Sequence, residues 1–227
     1  MPRFQDSVGL LELAGNGIGS AWMVAPELAL TALHCFGGAQ NPIAIRIKFG
    51  ATRHDAVIVD SDAALDVALL RVVPNDVMPL PVPLLACPAA DPSVPPRWKA
   101  HGFPAAIPDA TDGITVSGTV NQFATNYHNV PSVQLFCQEG LNIPNFRTAI
   151  FGGMSGGPIV SNRDGVDGAF AMVFEAPTAA GERLIFGVRL DSILIRFSAQ
   201  LAGIKAKAWD STAGRGVIVR LLDGSIK

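Results

Sequence analysis

The chain has 227 residues, room for one or two domains with a sizeable core. It is apolar, with 49% hydrophobic and 16% charged residues, and its formal net charge of -2 gives no electrostatic case for nucleic acid or an anionic membrane. The 23 glycines and 17 prolines spread along it argue for many short elements.

The N-terminus leads into a short apolar patch, residues 8–14, interrupted by Glu12. That patch is too short and too polar for a signal-peptide core, and no run approaches the roughly 18 apolar residues of a spanning helix. The three cysteines (Cys35, Cys87 and Cys137) are odd in number and form no C-x-x-C pair, so a reducing compartment is the simpler home. The expectation is a cytoplasmic protein.

In chain order, residues 8–14 form a first strand, 15–20 a hairpin turn and 21–24 a second strand. The glycines of the turn lack the spacing of a dinucleotide fingerprint, and no long helix follows them. An apolar strand from residue 28 runs into His34, and two glycines follow. Strands are then expected at 43–49, 56–59 and 65–73, the last with Asp66 at its entrance. Residues 74–97 carry eight prolines, too many for a central strand or helix, and read as an irregular connection between two halves. The second half has strands at 98–102, 114–120, 133–137, 159–160, 169–174 and 184–190. Residues 191–202 form the one helix, with Asp191 as N-cap and Gly203 as its stop. One more strand is possible at 216–222. This pattern predicts an all-β protein of two small barrels or sandwiches.

Between residues 151 and 159, four glycines and Pro158 surround Ser155. By itself this segment reads as a Gly-rich turn capped by its serine. It also has the makings of a nucleophile loop, with an outward hydroxyl and amide donors converging where negative charge develops in acyl transfer. His34 and Asp66 change the balance. Serine is a poor nucleophile until a base takes its proton; a neutral imidazole does so, and a buried carboxylate fixes its tautomer. Each of the three also has a plain structural role open to it: a core histidine, a strand-entry cap and a turn serine.

Thr31-Ala-Leu-His34-Cys35, Asp66-Val-Ala-Leu-Leu70 and Gly153-Met-Ser-Gly-Gly-Pro158 resemble three signature blocks of trypsin-like (chymotrypsin-fold) serine proteases, written T-A-A-H-C, D-I-A-L-L and G-D-S-G-G-P. The segment 19–24 and Gly102-Phe-Pro104 agree as well. The resemblance covers residues 8–202. It implies two six-stranded-type β-barrels with a cleft between them and a C-terminal helix. On that pattern residues 1–90 are the first barrel, carrying His34 and Asp66; 91–202 are the second barrel and helix, carrying Ser155; and 203–227 are a tail or the start of a linker.

Position by position, the resemblance implies Ser155 as nucleophile, His34 as general base and acid, and Asp66 as orienting acid. The N–H groups of Gly153 and Ser155 would form the oxyanion hole. The base of the side-chain pocket would be Ala149, with walls from Met172, Val173, Phe174 and Val188 and a small or medium apolar preference. Met154 replaces the aspartate that, in activated digestive enzymes, pairs with a newly released N-terminus. Cys35 lacks its usual disulfide partner and reads as a free, packed thiol. Both features resemble the bacterial intracellular or periplasmic branch, including the high-temperature-requirement (HtrA) proteases, without the PDZ domain.

The expected activity is that of a serine endopeptidase acting on protein or peptide substrates without metal or organic cofactor, restrained by a regulatory partner or fused domain. A latent pseudoprotease serving as a binding module, or an esterase of the same mechanism, are the alternatives. His54, His101 and His128 show no metal-ligand spacing. No nucleic-acid or membrane partner is expected.

Overall fold

In the computed structural model, the residues described are 3–37, 42, 44–88, 93–104, 111–138, 152–175, 184–204, 206–207 and 218–219. The first six strands are β1 (Val8–Leu13), β2 (Asn16–Ala25), β3 (Leu28–Ala32), β4 (Ile45–Phe49), β5 (Thr52–Asp62) and β6 (Val67–Val72). They close into an antiparallel barrel in the order β1-β2-β3-β6-β5-β4. After a two-residue strand β7 (Leu84–Leu85) come β8 (Arg97–Gly102), β9 (Ile114–Tyr127), β10 (Val130–Cys137), β11 (Pro158–Arg163), β12 (Val166–Glu175) and β13 (Leu184–Arg189). Pairing runs β11-β8-β9-β10-β13-β12, and β11 also pairs with β12, so this sheet closes as a second six-stranded barrel. The helix α1 (Leu190–Arg196) follows, and short strands β14 (Ala206–Lys207) and β15 (Ile218–Val219) extend the second sheet through β7.

Each barrel has its own core, and a third apolar cluster lies between them. Leu11, Met23, Ala29, Ile47, Ala68 and Leu70 fill the first barrel. Trp98, Val116, Phe123, Leu135, Ile159 and Phe170 fill the second. Trp22, Leu30, Val67 and Leu69 face out of the first barrel to meet Val160, Met172, Val188, Leu190, Ile193 and Phe197. In a strand, successive side chains point to opposite faces. The unbroken apolar run after Asp66 therefore reports that β6 is buried on both: Val67 and Leu69 toward the second barrel, Ala68 and Leu70 into the first.

The helix is tied to the first barrel by charge as well as packing. The Arg196 guanidinium donates to both carboxylate oxygens of Asp60 (3.0 and 3.1 Å), to Asp62 (2.8 Å) and to the Ser61 carbonyl (2.9 Å). Asp62 in turn accepts from the Leu65 N–H (2.9 Å), fixing the turn that leads to Asp66.

Several boundaries differ from the sequence expectation. Regular helix stops at Arg196, and Phe197 to Gly203 continue as turns. Asp191 is not the N-cap; that position is Arg189, and Asp191 sits inside the first turn, paired with the Arg189 guanidinium (2.6 and 3.0 Å). The segment expected as a strand at 56–59 is the eleven-residue β5, in which exposed Arg53 and Asp55 alternate with buried His54 and Ala56. Of the strand expected at 216–222, the described part is β15; the rest lies outside the described residues.

Candidate active site

His34 stands on a single 3-10 turn, Leu33–Phe36, directly after β3, closed by Gly37 with φ 59. Asp66 lies just before β6 with φ 54, a left-handed conformation uncommon outside glycine, Asn and Asp. That conformation aims several of its groups at the histidine turn. Its carbonyl accepts from the Leu33 N–H (3.0 Å), one carboxylate oxygen accepts from the His34 backbone N–H (2.8 Å), and the other is hydrogen-bonded to His34 Nδ1. An ionised carboxylate only accepts, so Nδ1 carries the proton and Nε2 is left as the basic nitrogen.

This contact raises the His34 pKa above its ordinary 6.5; the neighbouring Cys35 thiol adds to the rise, and partial burial opposes it. The Asp66 side chain is mostly covered (16% exposed) while the imidazole is 48% exposed, so the pair presents its basic end to solvent.

The serine loop is held from both barrels. On the side of the second barrel, Gly156 N–H donates to the Val173 carbonyl (2.9 Å), Val173 N–H to the Gly157 carbonyl (2.8 Å), and Gly157 N–H to the Met154 carbonyl (2.9 Å). From the first barrel, the Ser20 N–H donates to the Ser155 carbonyl (3.0 Å). Gly156 (φ 84) lies so close to β2 and β3 that a Cβ there would sit 2.4 Å from the Ser20 carbonyl oxygen and 2.7 Å from the Ala32 amide. Only glycine fits at this crossing. The Cys35 thiol, one residue past His34, lies 3.8 Å from the Ser155 carbonyl, so the histidine turn and the serine loop share one edge between the barrels.

Met154 is fully buried among Trp98, Ala100, Val116 and Ile159. An apolar side chain thus anchors the loop where the resemblance led to a comparison with an aspartate.

The expected pocket residues fall in different surroundings. Met172 and Val188 are fully buried in the cluster between the barrels, Val173 belongs to the core of the second barrel, and Phe174, 9% exposed, packs against the Tyr127 ring. Ala149 lies outside the described residues. Arg189 is engaged with Asp191 and the Phe123 carbonyl (2.9 Å), and Glu175 reaches His128 at 4.0 Å.

The remaining thiols and histidines are held in different ways: His54 is buried edge-on to the Phe49 ring (5.6 Å) with no hydrogen-bond partner on either ring nitrogen. Cys35 and Cys87 are free thiols; Cys87 donates to the Phe170 carbonyl (3.0 Å) and burial pushes its pKa up to about 12. His101 is buried, bonded to Thr115 (2.9 Å), with its pKa lowered by that burial. Among the described residues no cluster of His, Cys, Asp and Glu is arranged to hold a metal ion, and no described helix is long and apolar enough to cross a membrane.

Sequence reading missed Ser20, whose hydroxyl and backbone both reach the serine loop. Its only sequence signal is its place in the segment 19–24.

Compared with known proteins, residues 19–166 match the family model described as "Trypsin-like peptidase domain", a span that holds His34, Asp66 and Ser155. Among solved structures, the inactive form of Rv3671c from M. tuberculosis H37Rv, in a serine-to-alanine mutant, is similar with a TM-score of 0.61 and 16% identity over 88% of this chain and 89% of that one. The active form of the Rv3671c protease gives a TM-score of 0.59 and 19% identity over 89% and 82%. No curated protein sequence matches. At these identities the structural likeness concerns the fold, a chymotrypsin-like pair of β-barrels.

Proposed function

We propose, from the premise that this chain belongs to the trypsin-like peptidase domain family, that it is a serine endopeptidase with His34, Asp66 and Ser155 as its triad. The observation that carries the reading is the Asp66 carboxylate, which grips both the backbone and the ring of His34. With Nδ1 protonated, Nε2 takes the Ser155 proton as Oγ attacks the scissile carbonyl carbon. The N–H groups of Gly153 and Ser155 receive the oxyanion. The imidazolium then gives its proton to the departing amine as the C–N bond breaks, leaving an acyl-enzyme on Ser155. Water, deprotonated by the same imidazole, hydrolyses that ester and regenerates the serine.

Met154 supports one further element of the proposal. Its burial offers the loop an apolar anchor in place of an ion pair with a released N-terminus, so the reading needs no proteolytic activation. Restraint by a partner or a fused domain, in the cytoplasm, then completes the proposal. Casein hydrolysis by the isolated chain tests this: slow turnover that a partner accelerates is expected, whereas full-rate turnover by the chain alone contradicts restraint. A chain that cleaves p-nitrophenyl esters but no peptide would make it an esterase of the same mechanism.

A further inference from the structure

We propose that Ser20 is a positioning residue for the oxyanion hole: its side-chain hydroxyl locks the Gly153 peptide from the opposite barrel. The inference rests on the serine-peptidase reading for its catalytic consequence, although the lock itself is geometric.

Ser20 is on β2 of the first barrel and is fully buried. Its Oγ donates to the Gly153 carbonyl (2.8 Å) and accepts from the Phe103 N–H (3.0 Å), just past the end of β8. An amide N–H only donates, so the hydroxyl proton is committed to Gly153 and the relay has a single direction. The Ser20 backbone is used as fully. Its N–H donates to the Ser155 carbonyl (3.0 Å), and its own carbonyl accepts from Thr31 Oγ1 (2.7 Å) across the β2–β3 pair.

One residue of the first barrel therefore holds the carbonyls on both sides of Met154, and a threonine of the next strand holds that residue in turn. Gly153 has φ 99, a conformation open to glycine, so its backbone orientation is not set by sterics alone. The carbonyl lies in the peptide joining Gly153 to Met154, so holding it restrains the Gly153 α-carbon, and with it the preceding peptide that carries the Gly153 N–H. Space around the hydroxyl is tight: a Cβ on Gly102 would lie 2.7 Å from Ser20 Oγ.

Ser20→Ala leaves two part-buried polar groups, the Gly153 carbonyl and the Phe103 N–H, without their partner. Removing an oxyanion donor outright costs about 10²–10³ in rate, so loosening the residue that carries one is expected to slow acylation by about 10–100-fold with KM within about twofold.

The test combines two readouts on wild type, Ser20→Ala and Ser20→Cys, the last filling the site with a weaker donor should the alanine variant not fold. Amide hydrogen exchange at Phe103 and across residues 153–156 reads the lock directly. The kcat and KM for a p-nitrophenyl ester read its consequence. Exchange at least tenfold faster at Phe103, with the loss confined to kcat, is the expected result. Unchanged exchange overturns the lock, and faster exchange with unchanged kcat overturns its role in positioning. A wild type without esterase activity would instead overturn the serine-hydrolase reading; the exchange arm would still decide the lock.

Discussion

Replacing Gly156 by alanine probes the crossing of the serine loop over the first barrel. An added Cβ would lie 2.4 Å from the Ser20 carbonyl oxygen, 2.5 Å from Thr31 Oγ1 and 2.7 Å from the Ala32 amide, and two of those three atoms are backbone. Backbone cannot swing aside as a side-chain end does, so loop and strands must separate. Overpacking of this kind costs about 1–3 kcal/mol. The residue also has φ 84, which adds about 1–2 kcal/mol for any side chain.

Gly165 is the internal control. It has φ 79 in the β11–β12 turn with nothing within 4 Å of an added Cβ, so Gly165→Ala bears the backbone strain alone. At about 2–4 °C per kcal/mol for a chain of this size, Gly156→Ala should lower Tm by about 4–20 °C and Gly165→Ala by about 2–8 °C. Gly156→Ala should also abolish acylation of Ser155, whereas Gly165→Ala leaves it intact. Scanning calorimetry beside an active-site labelling assay checks both. A Gly156→Ala protein no less stable than Gly165→Ala, with normal labelling, would refute the packing argument.

Further expectations concern charge. The folded-state pKa of His34 is raised, so the pair adds stability that is fully present below the ordinary imidazole pKa near 6.5 and is lost as pH rises through the folded value. The general base must be neutral, so the acylation rate should climb with pH through a midpoint above 6.5. Asp66→Asn should move that midpoint down toward the ordinary range, short of it by what Cys35 contributes, lower the plateau and remove most of the acid-side stability. A wild-type midpoint below 6.5 in a pH profile of labelling by a neutral sulfonyl fluoride would contradict the contact. Met154→Asp places an unpaired carboxylate in an apolar core and deletes buried thioether packing, at an expected cost of about 3–5 kcal/mol in urea unfolding. A change below about 1 kcal/mol would mean that the loop is anchored otherwise.

The sequence announced most of this architecture wherever burial imposes a period. The run after Asp66 and the alternation of β4 translate directly into strands, because a strand buried on both faces is continuously apolar and one buried on a single face alternates. In sequence β5 shows only four strand-like residues, because its outward Arg53 and Asp55 dilute the apolar signal. The helix is shorter than its apolar spacing suggests, because that spacing continues through Phe197 and Leu201, which are buried from a turn rather than from regular helix.

At the site, the types and order of His34, Asp66 and Ser155 were legible, whereas the φ of 54 that turns Asp66 toward the histidine was not. Ser20 was invisible as a positioning group because its meaning depends on Gly153, 133 residues away in the other barrel. Pairing across that separation is created by the packing of the two barrels and leaves no local pattern. The same holds for the pocket: residues such as Met172 and Val188 are named by analogy, and only packing reveals that they are fully buried between the barrels.

The central claim is that Ser155, His34 and Asp66 work as one nucleophilic unit. Its most direct test is a fluorophosphonate probe reacted with wild type, Ser155→Ala and His34→Ala, with the adduct located by peptide mass spectrometry. A stoichiometric adduct on Ser155 is expected in wild type and none in either variant. A folded wild type that stays unlabelled, or an adduct that persists in His34→Ala at the wild-type rate, would contradict it.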